Sequence, residues 1–262
     1  MGLIDTHAHL ADKSLVCQLP DVLDRACKAG VTQMICVAVD AETAGQAIAI
    51  AEANKMVWAS VGIHPNYAHE AAPDHWPRIV EHTNHPRVCA LGETGLDLHW
   101  DDCPFEVQQA NFERHWELSR RTDLPLIIHM RDCEREMLTA LEKQAALKAP
   151  LRGVMHSFAG STETAEQCLA HGLYISFAGM LTYKKSDELR KTAKTIPLDR
   201  LLVETDCPYL TPEPNRSRRP NEPAFVAHTA RCLAETIGIS TKELGEITTE
   251  NAKRLFWRMV DK

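Results

Sequence analysis

The chain alternates short apolar runs with longer stretches of helical periodicity eight times, and this alternation restricts the folds open to it. The runs are rich in β-branched residues, which is typical of parallel strands buried on both faces. Helical stretches follow them, for example residues 20–29, which end before Gly30, and residues 104–121. The predicted strands cover residues 2–7, 32–39, 57–63, 88–93, 126–129, 153–156, 173–177 and 201–204.

Eight strand–helix units in a chain of 262 residues predict an α/β fold, a (β/α)8 TIM barrel of parallel strands. After the eighth strand come a loop rich in Pro and Arg over residues 209–223, a helix over 224–237, and a helical pair that begins at the capping motif of Ser240 and runs to about Trp257. No linker, repeat or change of composition interrupts this order. We therefore expect one domain over residues 1–262.

Two histidines, His7 and His9, follow the first predicted strand. Side chains at positions i and i+2 of a strand point to the same face, and neutral imidazole is the commonest metal ligand in proteins. Taken alone, the pair could equally be two hydrogen-bonded or solvated histidines. Residues able to bind a metal also stand at the ends of other predicted strands, namely His64, Glu93, His129, His156 and Asp206.

The carboxyl ends of the strands of such a barrel meet at one face, so these distant residues are expected to share one small site. Four imidazoles and two carboxylates exceed the needs of one tetrahedral ion but suit two ions about 4 Å apart. Glu93 is predicted to bridge the two ions, and Asp206 to accept a proton from the attacking water as well, which makes both of them catalytic. The predicted metal ligands are His7, His9, Asp206 and Glu93 for one ion, and Glu93, His129 and His156 for the other.

Basic and aromatic residues in loops at the same face are candidates for binding a substrate. His64 is predicted to contact a substrate phosphate rather than a metal. The basic groups Lys184-Lys185 and Arg216, Arg218 and Arg219 could hold a polyanion or could be an ordinary solvated surface, and Tyr183 and Tyr209 could stack on bases or pack against the barrel. The predicted substrate contacts are His64, Arg131, Arg218 and Arg219.

Composition restricts partners and location. The formal net charge of -7 argues against a broad nucleic-acid surface but allows a small basic rim. The nine cysteines are odd in number and lack the spacing of a zinc ribbon, so we expect them to be reduced. No apolar run approaches the roughly 20 residues that cross a bilayer. A cytoplasmic protein without a membrane partner, most simply a monomer, is expected.

An ordered set of short motifs resembles the TatD family of metal-dependent deoxyribonucleases, from residue 3 to about residue 257. In one place the chain departs from the family, because residues 216–221 replace a Gly-Lys-Arg-Asn run before Glu222-Pro223, which puts the shape of that loop in doubt. The motifs are His7-x-His9, Val61-Gly62-Ile63-His64-Pro65, Gly92-Glu93-Thr94-Gly95-Leu96-Asp97, His129-x-Arg131-Asp132, His156-Ser157-Phe158-x-Gly160, Glu204-Thr205-Asp206-x-Pro208-Tyr209-Leu210, Asn221-Glu222-Pro223 and Asn251-Ala252-x-x-Leu255-Phe256.

The resemblance implies a TIM-barrel hydrolase with divalent metals at the positions matching the six ligands named above. It implies deoxyribonuclease activity, largely as a 3′ to 5′ exonuclease that prefers single-stranded DNA, with a part in DNA repair or DNA fragmentation. Activity in the family is usually associated with Mg²⁺, and Mn²⁺ is a second candidate for turnover. Four imidazoles also suit Zn²⁺ or another transition metal.

The sequence therefore predicts a metal-dependent hydrolase that cleaves DNA phosphodiester bonds by two-metal activation of water. A small-molecule amidohydrolase or lactonase on the same barrel is the alternative, and the negative net charge mildly favours it. A third possibility is a protein that binds metal or nucleic acid without catalysis.

Overall fold

The computed structural model describes residues 2–147 and 151–260, and within them eight parallel strands pair side by side in the order in which they occur along the chain. The eighth strand returns to the first through a parallel bridge between Ala8 and Cys207. The predicted TIM barrel is therefore confirmed. The strands are β1 (Leu3–Ala8), β2 (Val31–Val37), β3 (Val57–Val61), β4 (Val88–Asp97), β5 (Leu126–Arg131), β6 (Gly153–Met155), β7 (Tyr174–Phe177) and β8 (Leu201–Val203).

Helices connect the strands and form the outer layer of the barrel. Ser161 and Ser240 cap the helices that follow them, because the side chain of each accepts a hydrogen bond from the backbone N–H three residues later. The helices are α1 (Lys13–Val16), α2 (Leu19–Lys28), α3 (Ala41–Ala53), α4 (His75–His82), α5 (Phe105–Thr122), α6 (Glu134–Ala145), α7 (Thr162–Ala170), α8 (Asp187–Thr195), α9 (Val226–Ile237) and α10 (Thr241–Leu255).

Two sequence-based boundaries are corrected by the structure. The fourth strand was expected over 88–93, but β4 continues to Asp97, which places Glu93 inside a strand rather than at its end. The helical pair expected after Ser240 is one helix, α10, followed by a 3-10 turn over Trp257–Met259. Among the described residues, none of the helices combines the length and apolar character needed to cross a membrane.

Apolar residues of the strands divide between two clusters, as the alternation of side chains along a strand requires. One cluster joins the strands to the outer helices and includes Leu3, Phe112 and Trp116. The other cluster contains strand residues such as Ile4 and no residue of α1 to α9. It therefore fills the inside of the barrel, and Phe256 and Met259 lie at its lower end. The upper end of the barrel is left to polar side chains.

A bulge in β4 aims Glu93 towards the middle of the barrel. Pairing with β5 shifts after Leu91, so that β4 has one residue more than its partner, and the Glu93 N–H donates to the carbonyl of Ala38 at 2.9 Å. The backbones of β3 and β4 come very close here, because a Cβ added to Gly62 would lie 2.7 Å from the Cα of Gly92. Only glycine permits this approach.

Gly95, further along β4, gives the first testable prediction. Its φ of +139° is one that side chains rarely adopt, and an added Cβ would lie 2.1 Å from the carbonyl oxygen of His129. We expect Gly95→Ala to lower the free energy of unfolding in urea by about 3 kcal/mol or more, because strain and overpacking add. Gly45→Ala is the control, since an added Cβ there meets nothing within 4 Å and α3 should gain about 0.5 to 1 kcal/mol. Equal urea midpoints for Gly95→Ala and the unaltered protein would contradict this.

Candidate metal centre

The upper end of the barrel opens into a cavity of about 820 Å³. Its lining is mainly polar at the floor and aromatic at the mouth. His7 is fully buried beneath the cavity and is not among the residues that line it. The predicted site residues that line the cavity are His9, His64, Glu93, His129, Arg131, His156 and Asp206.

Hydrogen bonds between the ends of β1 and β8 bring His7, His9 and Asp206 together. The Asp206 N–H donates to the carbonyl of His7 at 2.9 Å, and the His9 N–H donates to the carbonyl of Cys207 at 2.7 Å. Asp206 has a φ of +56°, a left-handed conformation that costs free energy and that aspartate tolerates better than most residues. The chain therefore turns sharply at Asp206, and its carboxylate faces the two histidines.

Asp5 reinforces this junction from below. Its carboxylate accepts hydrogen bonds from the N–H of Thr205 at 2.9 Å and from the Thr205 hydroxyl at 2.6 Å, so it ties β1 to the residue before Asp206. Burial raises the pKa of Asp5 to about 8, even though these hydrogen bonds lower it. Asp5 was not among the predicted site residues, and it acts on the position of the ligands rather than on a substrate.

The first set of donor atoms consists of the Nε2 atoms of His7 and His9, Oε2 of Glu93 and Oδ1 of Asp206. The two nitrogens lie 3.1 Å apart, and each lies 3.4 to 3.6 Å from the two oxygens. Ligand atoms at 2.0 to 2.2 Å from one tetrahedral ion are about 3.3 to 3.6 Å from each other. The nitrogen–oxygen distances match this spacing and the nitrogen–nitrogen distance is slightly shorter, so the set could hold one metal ion after a small adjustment.

The second set is built on the other oxygen of Glu93. Oε1 lies 2.9 Å from Nδ1 of His129 and 2.8 Å from Nε2 of His156, and these two nitrogens are 3.2 Å apart. One carboxylate thus presents one oxygen to each set of donors. This is the arrangement that a carboxylate bridging two ions requires.

The charges of the two carboxylates are maintained despite burial. Burial disfavours ionisation of Glu93, but the nearby imidazoles of His156, His64 and His7 outweigh it, so the pKa of Glu93 lies well below its usual range. Burial likewise opposes the charge of Asp206, and the hydrogen bond with His9 is the main influence that lowers its pKa below the usual value. Both groups are therefore anionic at neutral pH, and the centre attracts positive charge.

The histidines respond to those anions. For His156, burial disfavours the charged imidazolium, but Glu93 and the hydrogen bond to Glu204 outweigh burial and raise its pKa well above the ordinary value. Protons on imidazoles can balance the carboxylates, and so can divalent cations bound to neutral imidazoles.

Three of the histidines face a hydrogen-bond acceptor on the outer side of the ring, which favours the neutral tautomer with its proton on the outer nitrogen once a metal is bound. A ring nitrogen that donates outward leaves the other nitrogen with its lone pair directed into the site, as a metal requires. This is a second sign that the residues fit a metal centre. The outward donors and acceptors are His9 Nδ1 and the carbonyl of Val37 (3.1 Å), His129 Nε2 and Asp97 Oδ2 (2.9 Å), and His156 Nδ1 and Glu204 Oε1 (3.3 Å).

The sequence-based prediction assigned no role to Asp97 and Glu204, which accept hydrogen bonds from the predicted ligands His129 and His156. Burial raises the pKa of Asp97, but the hydrogen bond and charge of His129, together with hydrogen bonds from His99 and Asn66, outweigh burial and lower it to about 2, so the acceptor stays ionised. Glu204 is fully buried and also accepts from the N–H of Ser157 at 2.7 Å. Both lie in motifs that also carry a predicted ligand. An acidic residue close to a ligand in the sequence was therefore the signal that could have identified them.

His64 has the opposite orientation. The N–H of Asn66 donates to its Nδ1 at 3.1 Å, so that nitrogen holds the lone pair and the proton of the neutral ring is on Nε2. Nε2 lies 3.4 Å from Oε1 of Glu93 and faces the site. His64 also belongs to a group with Glu93 and His129 that could hold a metal ion. In the neutral ring, however, its inward nitrogen is a hydrogen-bond donor.

The predicted substrate contacts are not all brought to the cavity. Arg131 lines it, with its guanidinium carbon 5.7 Å from the centre of the Trp100 ring. Arg218 lies over Phe225 at 5.1 Å, and Arg219 donates to the Thr211 hydroxyl at 3.0 Å, so neither reaches the lining. A role for these two arginines in binding stays a prediction.

The other candidates of the mouth also differ in position. Lys184 and Lys185 are exposed and lie outside the cavity lining. The Tyr183 ring is covered by the guanidinium of Arg216 at 3.7 Å. Tyr209, in contrast, lines the mouth and is exposed.

Comparison with known proteins agrees with the site. The family described as "TatD related DNase" matches residues 4–257. An uncharacterized metal-dependent hydrolase of Bacillus subtilis, YabD, is 39% identical over 97% of this chain and 98% of its own length. The protein named 3'-5' ssDNA/RNA exonuclease TatD of Salmonella typhimurium is 30% identical over 97% of this chain and 98% of its length. The solved structure of YjjV, a TatD homologue of Escherichia coli, has a TM-score of 0.90 at 30% identity and covers 97% of each chain.

The tautomers give a prediction about metal content. At limiting Zn²⁺ or Mn²⁺, we expect His129→Ala to lower the bound metal per chain, because it removes a ligand of the second set. His64→Ala should leave the metal content unchanged, since its inward nitrogen carries a proton. Elemental analysis of the purified proteins measures both, with His69→Ala as the control for the loss of a histidine outside the site. Equal loss of metal from His64→Ala and His129→Ala would show that His64 is a ligand.

Proposed function

The chain belongs to the TatD-related DNase family and is a metal-dependent hydrolase, and on that premise we propose that it hydrolyses single-stranded DNA from the 3′ end. The observation that carries the proposal is the carboxylate of Glu93, whose two oxygens face two separate sets of donors. The name of the Salmonella relative, an exonuclease of single-stranded DNA and RNA, supports the class of substrate.

Two divalent ions are part of the proposal. When bound, they supply Lewis acidity towards a phosphoryl oxygen and bring the pKa of a bound water towards neutrality. Mg²⁺ or Mn²⁺ is proposed for turnover, and Zn²⁺ also fits four imidazoles. The residues that would hold the ions are His7, His9, Glu93, His129, His156 and Asp206.

Asp206 is the proposed proton acceptor. Its side chain is 13% exposed, so water can reach it through the cavity, and its lowered pKa keeps it ionised. A carboxylate at the floor of the site can take the proton of the attacking water and later release it to solvent. Nε2 of His9 lies 3.5 Å from Oδ1, so an ion held by His9 would also hold this carboxylate in place.

His64 and Arg131 are the proposed phosphate contacts. The Nε2–H of His64 is directed into the site, and a neutral imidazole donor can bind a non-bridging phosphate oxygen without competing for a metal. Arg131 stands on the cavity wall, where a guanidinium can pair with the next phosphate of a strand. Arg131 and His64 would therefore hold the phosphates of the strand while the metal centre cleaves it.

The proposal extends to the cellular setting. The nine cysteines of the protein are all free, which agrees with a reducing compartment such as the cytoplasm. We propose a monomeric enzyme with one domain over residues 1–262 that takes part in DNA repair. Arg218 and Arg219 would contact DNA only if their loop moves towards the cavity.

An assay across substrate classes tests this function. We expect the metal-loaded protein to shorten 5′-labelled single-stranded DNA from the 3′ end, to act less on duplex DNA, and to stop when a chelator is added. Glu93→Gln should lower the rate about 10³-fold or more, because it removes the charge shared by both donor sets. Glu70→Gln, an exposed carboxylate on the surface, should have the rate of the unaltered protein.

Single-stranded RNA, simple lactones and amide substrates complete the panel. A cavity of about 820 Å³ is also large enough for a small-molecule substrate, so the amidohydrolase or lactonase alternative is tested directly. Turnover of a lactone or amide with no hydrolysis of DNA or RNA in any metal would overturn the proposed nuclease function. Circular dichroism and urea unfolding show whether Glu93→Gln remains folded.

A further inference from the structure

Three aromatic side chains stand at the mouth of the cavity with much of their surface exposed. Tyr67, Trp100 and Tyr209 line it and are 44%, 51% and 57% exposed. Large aromatic rings are rarely left in water around a cavity unless they contact a ligand. The mouth therefore offers flat apolar surfaces above a polar floor.

Two of these rings lie next to different histidines of the site. The centre of the Tyr209 ring lies 6.0 Å from that of His9, which belongs to the first donor set. The Tyr67 ring lies 5.8 Å from that of His64, whose Nε2 approaches Oε1 of Glu93. A phosphate bound between His9 and His64 would thus have a tyrosine ring close to each of these two histidines.

The faces of these two rings are open. Within residues 2–147 and 151–260, no guanidinium is stacked on Tyr67 or Tyr209, whereas Arg216 covers Tyr183 and Arg131 approaches Trp100. Burial, the charge of Asp12 and the phenol of Tyr67 raise the pKa of Tyr209 above its usual value. Its hydroxyl therefore stays neutral and does not repel a phosphate.

We propose that Tyr67 and Tyr209 are the base-stacking residues of this site. With the scissile phosphate at the floor, the base on one side stacks on Tyr209 and the base on the other side stacks on Tyr67. Stacking accepts any base, because every base has a π face, but it requires that the base be unpaired. The two rings therefore select single strands without reading their sequence.

This inference rests on the nuclease function proposed above, and a binding measurement separates the two. The probe is a single strand that carries 2-aminopurine at its 3′ end and phosphorothioate linkages there, so that binding is observed in Mg²⁺ with hydrolysis suppressed. Stacking on tyrosine quenches the fluorescence of the probe. Only one of the two rings stacks on the labelled terminal base, so we expect one of Tyr67→Leu and Tyr209→Leu to reduce the quenching. Both leucine variants should weaken binding about 10-fold, while Tyr67→Phe and Tyr209→Phe keep quenching and binding.

Tyr183→Leu is the matched control, because its ring is already covered, and it should behave as the unaltered protein does. A second arm compares the KM for an ordinary strand with the KM for a strand that lacks its terminal base. The unaltered enzyme should distinguish the two strands, and one of the leucine variants should not. Hydrolysis that depends on Glu93 together with unchanged quenching and KM in both leucine variants would overturn the stacking role and leave the nuclease function standing. Absence of any hydrolysis of nucleic acid by the unaltered protein would instead overturn the function itself.

Discussion

The buried negative charge of Glu93 is the constraint on which the rest of the structure depends. An ionised carboxylate costs several kcal/mol to bury unless positive charge and hydrogen bonds compensate it. Glu93 is 3% exposed, and imidazoles from β1, β5 and the loops after β3 and β6 surround it. Because an apolar cluster fills the lower barrel, Glu93 has polar surroundings only at the upper end. The barrel therefore concentrates cation-binding groups at one end.

Backbone features of β4 make this placement possible. The bulge after Leu91 and the close approach of Gly62 and Gly92 direct the carboxylate inward, and Gly95 allows the strand to continue against β5. That continuation brings Asp97 to the outer nitrogen of His129. A single strand thus supplies both the shared carboxylate and the acceptor that orients one of its neighbours.

The fold and the main donor set were predictable from the sequence for physical reasons. Parallel strands bury both faces, so their apolar runs are visible, and the geometry of a barrel brings their carboxyl ends together. The contact of Asp97 with His129 was less accessible, because it depends on a bulge that lengthens a strand. A phosphate contact was predicted for His64, but the hydrogen bond from the backbone of Asn66 that orients its ring is seen only in the structure. The direction of Arg218 and Arg219 depends on contacts within their own loop, which no periodic pattern records.

Chemical roles at the centre follow from which ring nitrogen donates outward. His9, His129 and His156 each face an acceptor on the outer side, so their neutral rings would direct lone pairs inward, whereas the neutral ring of His64 would direct a proton inward. Anomalous diffraction from crystals grown with Mn²⁺ tests this division and the bridging role of Glu93 together. The account predicts two peaks about 3.5 to 4 Å apart, each bonded to one oxygen of Glu93 and neither bonded to His64. A single peak, or a peak bonded to His64, would contradict it.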